Sequence, residues 1–163
     1  MYKRIVLAYD GSLEGGTALR EGALLARGCG AKVFLLSVLA ESPGIRIAEG
    51  VHAGAAARQL DAYKAILERG VERLGQLGLK PVAKLVIGDP AREIGAFAKA
   101  IGADLVVVGH RRQTMLARWW SGASGAYISD HLGCSLLIGR NVIDDAAFEA
   151  ELRRNSDPEV APP

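Results

Sequence analysis

Five short runs of Val, Ile and Leu recur along this chain, "RIVLAY" (4–9), "KVFLLSV" (32–38), "PVAKLVI" (81–87), "DLVVVG" (104–109) and "SLLIG" (135–139). They are almost continuously apolar. A strand with one face in water alternates apolar and polar residues, whereas a strand covered on both faces reads as an unbroken apolar run, the mark of a parallel sheet. Helix-length segments separate them. Ser12 is placed to cap a helix running to about Ala26, which "GCG" (28–30) stops. Residues 54–77 put Leu60, Tyr63, Leu67, Val71 and Leu74 at three- and four-residue spacing, a single apolar stripe closed by Gly78. Asp89 and Pro90 form an N-cap and first-turn pair for a helix ending at Gly102. A fourth helix is expected over about Gly122 to Leu132. The order β-α-β-α-β-α-β-α-β predicts an α/β fold, a single doubly wound five-stranded parallel sheet in the order 3-2-1-4-5 with helices on both faces.

A chain of 163 residues matches one such domain, able to bury roughly two-thirds of its unfolded surface. With 50% hydrophobic and 23% charged residues the composition is that of an ordinary globular protein. The formal charge of +2 gives no reason to expect nucleic acid, although it is unevenly spread: residues 141–163 hold six acids against Arg153 and Arg154, so that segment is −4 and the rest +6. The chain therefore divides into a domain at 1–140 and an acidic C-terminal tail at 141–163, whose polar, proline-rich end is expected to fray beyond one short helix around Ala146 to Arg153. Residues 41–50, "ESPGIRIAEG", read as a loop. Cys29 and Cys134 are isolated, with no CxxC pair or metal-ligand spacing, and read as buried thiols. The apolar start "MYKRIVLAYD" is too short for a secretory segment, and no run approaches the ~20 apolar residues of a membrane helix. A cytoplasmic protein with no membrane association is expected.

In a doubly wound sheet the ligand crevice lies outside the carboxyl ends of the strands where the winding reverses, here between strands one and four. Those ends are "AYDGS" (8–12) and "VGHRR" (108–112). Asp10 has two readings there: a carboxylate that accepts from a ribose hydroxyl or adenine amine, or a member of an Asp-Gly-Ser turn and cap with no ligand. "GSLEGGT" (11–17) contains half of a phosphate loop but has threonine where the lysine belongs, and no GxGxxG is present. His52, His110 and His131 are scattered, and "SGASG" (121–125) lacks the spacing of a nucleophile elbow. Hydrolytic chemistry has no support in these residues.

The strand "RIVLAYDGS", the block "GDPAREIGAFAKAIGADLVVVG" (88–109) and the long connection into "CSLLIG" resemble the universal stress protein family across residues 1–140. ATP-binding members of that family carry a glycine, two residues, a second glycine, nine residues, then glycine with serine or threonine. Gly109 and Gly122 fill the first and third places, while Arg112 replaces the second glycine and Ala123 the hydroxyl residue. The resemblance implies ATP or AMP as ligand, with Asp10 and the Val38 backbone at adenine and ribose, and Gly109, Gly122, Ala123 and Ser124 at the phosphates. Arg112 either forks onto phosphate or fills the pocket. Mg is neither implied nor excluded. The family also implies a stress-response role, at most slow ATP hydrolysis, and a homodimer through the last strand at Leu136 and Ile138. The alternative is a nucleotide-free dimeric interaction module that engages another protein, with Arg112, Trp119 and Trp120 closing the crevice.

Overall fold

The computed structural model describes residues 1–40, 53–110 and 132–154. In chain order its elements are β1 (Arg4–Ala8), α1 (Leu13–Cys29), β2 (Lys32–Ala40), α2 (Ala53–Gln76), β3 (Val82–Gly88), α3 (Pro90–Ile101), β4 (Leu105–Gly109), β5 (Ser135–Gly139) and α4 (Asp145–Arg154). The five strands form one all-parallel sheet in the order β3-β2-β1-β4-β5. The expected helix over 122–132 and the loop over 41–50 lie outside the described residues, except that Leu132 is not helical.

The apolar runs of β1, β2 and β4 become strands covered on both sides, whereas the edge strand β3 departs from that expectation and leaves Val82 and Ile87 exposed. Ile5, Leu7, Val33, Leu35, Leu105 and Val107 face α1 and α2, with Leu19, Ala23 and Leu74 filling that layer. Val6, Phe34, Leu36, Val106 and Val108 face the other way, against Ala91, Ile94 and Ala98 of α3. The caps are the chemistry the sequence predicts, although α1 runs on through Gly28 to Cys29, past the expected end near Ala26, because Gly30 and not Gly28 takes the left-handed conformation that stops it. Ser12 caps α1 by accepting from the Gly15 amide at 3.0 Å, and Asp89 caps α3 by accepting from the Arg92 amide at 3.0 Å. Gly30 and Gly102 close the two helices at φ 59° and 60°, a left-handed conformation that costs glycine nothing sterically.

β3 lies one residue later than expected and β4 starts one residue later, at Leu105; the ends of β1 and β2 also differ from expectation, each for a local reason. β1 stops at Ala8 because the Ser37 hydroxyl donates to the Tyr9 carbonyl at 2.7 Å, in place of a backbone donor. β2 runs on to Ala40 because β3 continues to pair with it as far as Ala40 opposite Gly88. The thiols of Cys29 and Cys134 are free and only partly buried, not fully buried as expected. Burial, reinforced by the nearby Asp104 charge, pushes the Cys134 thiol up.

The tail forms α4 close to the span the sequence suggests. Asp144 caps it, accepting from the Ala147 amide at 2.7 Å. Phe148 turns back onto α1, where the Arg20 guanidinium stands 5.2 Å from the ring centroid and also donates to the Ile143 carbonyl at 2.9 Å.

Asp104, just before β4, ties that strand to the first residues of the chain. Its carboxylate accepts from the Lys3 amide at 2.8 Å and the Arg4 amide at 3.1 Å. Burial pushes this carboxyl up, but the amides of Lys3, Arg4 and Asp104 itself, with the Arg4 charge, outweigh it and hold the group below its ordinary value. A lowered folded-state value means the contribution is present above the ordinary Asp range and is lost as pH falls through the folded value. Asp104→Asn is therefore expected to be less stable than wild type in urea at neutral pH, with the gap closing in acid below about pH 4. A gap that stayed constant across that range would separate the carboxylate's charge from its effect.

Candidate functional site

The order β3-β2-β1-β4-β5 reverses the winding between β1 and β4, whose pairing runs from Ile5 opposite Leu105 to Leu7 opposite Val107. Their carboxyl ends open into a cleft lined by Tyr9, Asp10, Ser12, Glu14 and Gly15 after β1, Leu36 and Val38 of β2, and Val108 and Gly109 of β4. Tyr63 of α2 closes one side, and Pro90 and Ile94 of α3 the other. The cleft is apolar in its walls, with its polar groups concentrated at the turn from β1 into α1, the composition of a small-molecule site.

That turn is built by Asp10. Its Oδ1 accepts from the Ser12 amide at 3.0 Å and the Ser12 hydroxyl at 2.5 Å, and the same hydroxyl oxygen accepts from the Gly15 amide. Both readings of Asp10 thus have a physical basis, since the carboxylate organises the cap of α1 and also lines the cleft. Ser37 fixes the position from below. It is fully buried, and its bond to the Tyr9 carbonyl holds the residue immediately before Asp10.

Gly109 has a different task. A Cβ at this position would stand 2.8 Å from the carbonyl carbon and oxygen of Glu14 and from the Gly15 nitrogen. These are backbone atoms of the first turn of α1, which cannot rotate aside as a side chain can. The missing side chain therefore lets the N-terminus of α1 sit directly over the end of β4.

Of the site residues expected from sequence, the structure brings Asp10, Val38 and Gly109 together in this cleft. Arg112, Gly122, Ala123 and Ser124 lie outside the described residues, as do Trp119, Trp120, His52 and His131. Leu136 and Ile138 are on the edge strand β5, away from the cleft. The sequence reading missed Tyr63 and Ile94, which line the cleft, and Ser37, which does not line it but bonds the Tyr9 carbonyl next to it. Tyr63 was legible only as one member of an apolar stripe, and a lone serine inside the β2 run carried no signal of its partner. Among the described residues no cluster of His, Cys, Asp or Glu is arranged to hold a metal.

Residues 1–140 match the Universal stress protein family. The chain belongs to that family. A universal stress protein from Methanocaldococcus jannaschii is 27% identical over 139 residues, covering 85% of this chain and 82% of the relative. Among solved structures, a universal stress protein in complex with cAMP aligns with a TM-score of 0.61 at 21% identity, over 85% of this chain and 97% of that one. An Arabidopsis thaliana family member with AMP bound aligns at 0.59 and 21% identity, over 89% and 97%. The Archaeoglobus fulgidus universal stress protein in complex with dAMP aligns at 0.61 and 20% identity, over 85% and 98%. These likenesses establish the universal stress protein fold for this chain.

Gly109→Ala is expected to cost about 1–3 kcal/mol of folding stability through overpacking against the α1 backbone. Gly28→Ala, within α1 itself and with open space where its Cβ would stand, is the control, and it is expected to be neutral or to stabilise by about 0.5–1 kcal/mol. Urea unfolding of the two variants checks the contrast.

Proposed function

We propose that this universal stress protein is a cytoplasmic stress-response protein that binds an adenine mononucleotide, ATP or AMP, in the cleft between β1 and β4, and that it acts as a homodimer. The observation that carries the reading is the convergence of Asp10, Val38 and Gly109, from three different strand ends, on one cleft at the switch point. Leu36, Val38, Ile94 and Val108 offer a flat base an apolar slot, and the Asp10 carboxylate is placed to accept from a ribose hydroxyl. That the three neighbours carry cAMP, AMP and dAMP favours adenine as the base. The free thiols fit a reducing compartment, and no helix among the described residues is long and apolar enough to cross a membrane.

The dimer rests on β5, which has no strand on its outer side among the described residues. The Ser135 amide donates inward, to the Asp104 carbonyl at 3.2 Å. Because amides alternate in direction along a strand, those of Leu136 and Ile138 point outward to the open edge, where a second copy of β5 would satisfy them.

Protein purified without added nucleotide, denatured and analysed by mass spectrometry, is expected to release AMP or ATP near stoichiometrically. Asp10→Asn should keep its unfolding midpoint, since an amide oxygen still accepts from Ser12, yet weaken AMP about tenfold by losing a charge-assisted bond. A loss of stability with unchanged affinity would make Asp10 a turn residue only. Leu136→Pro removes an outward-pointing donor while leaving the β4 pairing intact, and is expected to convert a sedimenting dimer to monomer. A monomeric wild type at micromolar concentration would defeat the dimer.

A further inference from the structure

Residues of α1, α2 and α4, with Leu77 just after α2, line a second, partly open recess of about 180 Å³. Its floor is Leu19, Leu74 and Leu77, and Phe148 of α4 roofs it. Leu74 is fully buried and Phe148 is 9% exposed, so both ends of the apolar part are fixed by packing. The roof is held by Arg20, which stacks on Phe148 and donates to the Ile143 carbonyl. The roof comes from residues beyond the 1–140 family match, so this enclosure is a property of the chain's own tail.

The polar rim has one sign. Arg20 and Arg73 both line the cavity together with Gln76, and no carboxylate does among the described residues. Arg73 lies over Gly16, its Nη1 3.7 Å from where a Cβ would stand, and no residue pairs with its guanidinium among the described ones. A partly open recess of this size, apolar at Leu19, Leu74, Leu77 and Phe148 and polar at Arg20, Arg73 and Gln76, has room for a body about the size of benzene, which a ~150 Å³ cavity accommodates. The guanidinium adds a requirement for an attached anion, which it can grip by two parallel hydrogen bonds.

We propose that this cavity is a second ligand site, separate from the strand-end cleft, that takes a small amphipathic carboxylate: an aromatic or short acyl body on Leu19, Leu74, Leu77 and Phe148, with its carboxylate on Arg73. Nothing in this assignment depends on the cleft binding nucleotide.

The test uses 4-phenylbutyrate and its neutral analogue 4-phenylbutan-1-ol, titrated into the full chain by saturation-transfer NMR. The acid is expected to bind saturably and about tenfold more tightly than the alcohol, the worth of one charge-assisted hydrogen bond. Arg73→Ala, at an exposed position, should keep the wild-type unfolding midpoint and erase the difference between acid and alcohol. Phe148→Ala should weaken both ligands together. Excess AMP should leave the acid in place. The proposal is overturned by non-saturable binding, by equal affinity for acid and alcohol in wild type, by a preference that survives Arg73→Ala, or by displacement with AMP.

Discussion

Backbone-to-backbone contact between α1 and the carboxyl ends of β4 and β5 is the constraint from which the rest of this structure follows. Ordinary helix-on-sheet packing is spaced by side chains, but here Gly109 meets the first turn of α1, and a Cβ on Gly139 would stand 2.6 Å from the Ala18 Cα. The helix contributes its own small residues to the same face, with Gly15, Ala18, Gly22, Ala23 and Ala26 all buried. Pressed this close, α1 cannot pivot, so its N-terminus and the Asp10–Ser12 turn stand at a fixed height above the strand ends. The cleft is the space left between that turn and the more distant, Tyr63-bearing helix α2.

Much of this arrangement can be read in the sequence, because its signals are local. Unbroken Val/Ile/Leu runs meant strands covered on both faces, and Ser12, Asp89, Gly30 and Gly102 marked helix ends by hydrogen-bond chemistry that needs no tertiary partner. Asp10 and Gly109 were legible because topology alone puts the ends of β1 and β4 side by side, whereas Val38 came only from the family resemblance. Ser37 was not, since its significance lies in a carbonyl 28 positions earlier. The same limit applies to the enclosure under Phe148, which requires α1, α2 and α4 to be in place before any of its lining residues are neighbours. The length of β2 also escaped the sequence, because it is set by how far β3 continues to pair.

The two recesses differ in how they are made. One is built from strand ends and a helix start inside the span shared with the family, and its polar groups satisfy one another through the Asp10, Ser12 and Gly15 relay. The other is closed by the added tail, and among the described residues its lining holds the guanidinium groups of Arg20 and Arg73 and no carboxylate. The first is fixed by covalent geometry and sheet register. The second depends on one aromatic ring and one arginine, so its shape changes with the docking of a single short helix.

The Asp104 link to Lys3 and Arg4 spans 101 and 100 residues of sequence, and the whole pairing of β1 with β4 shares that separation. During synthesis β1, β2 and β3 can assemble on one another as they emerge, whereas β4 arrives only after three strands and three helices. Contacts of such high sequence separation form slowly. Until then β1 is not the centre of the sheet but its border, with the backbone groups of Ile5 to Leu7 unsatisfied toward the missing strand. A nascent or truncated chain ending before Leu105 therefore presents an adhesive apolar edge at the strand that becomes the centre of the finished sheet.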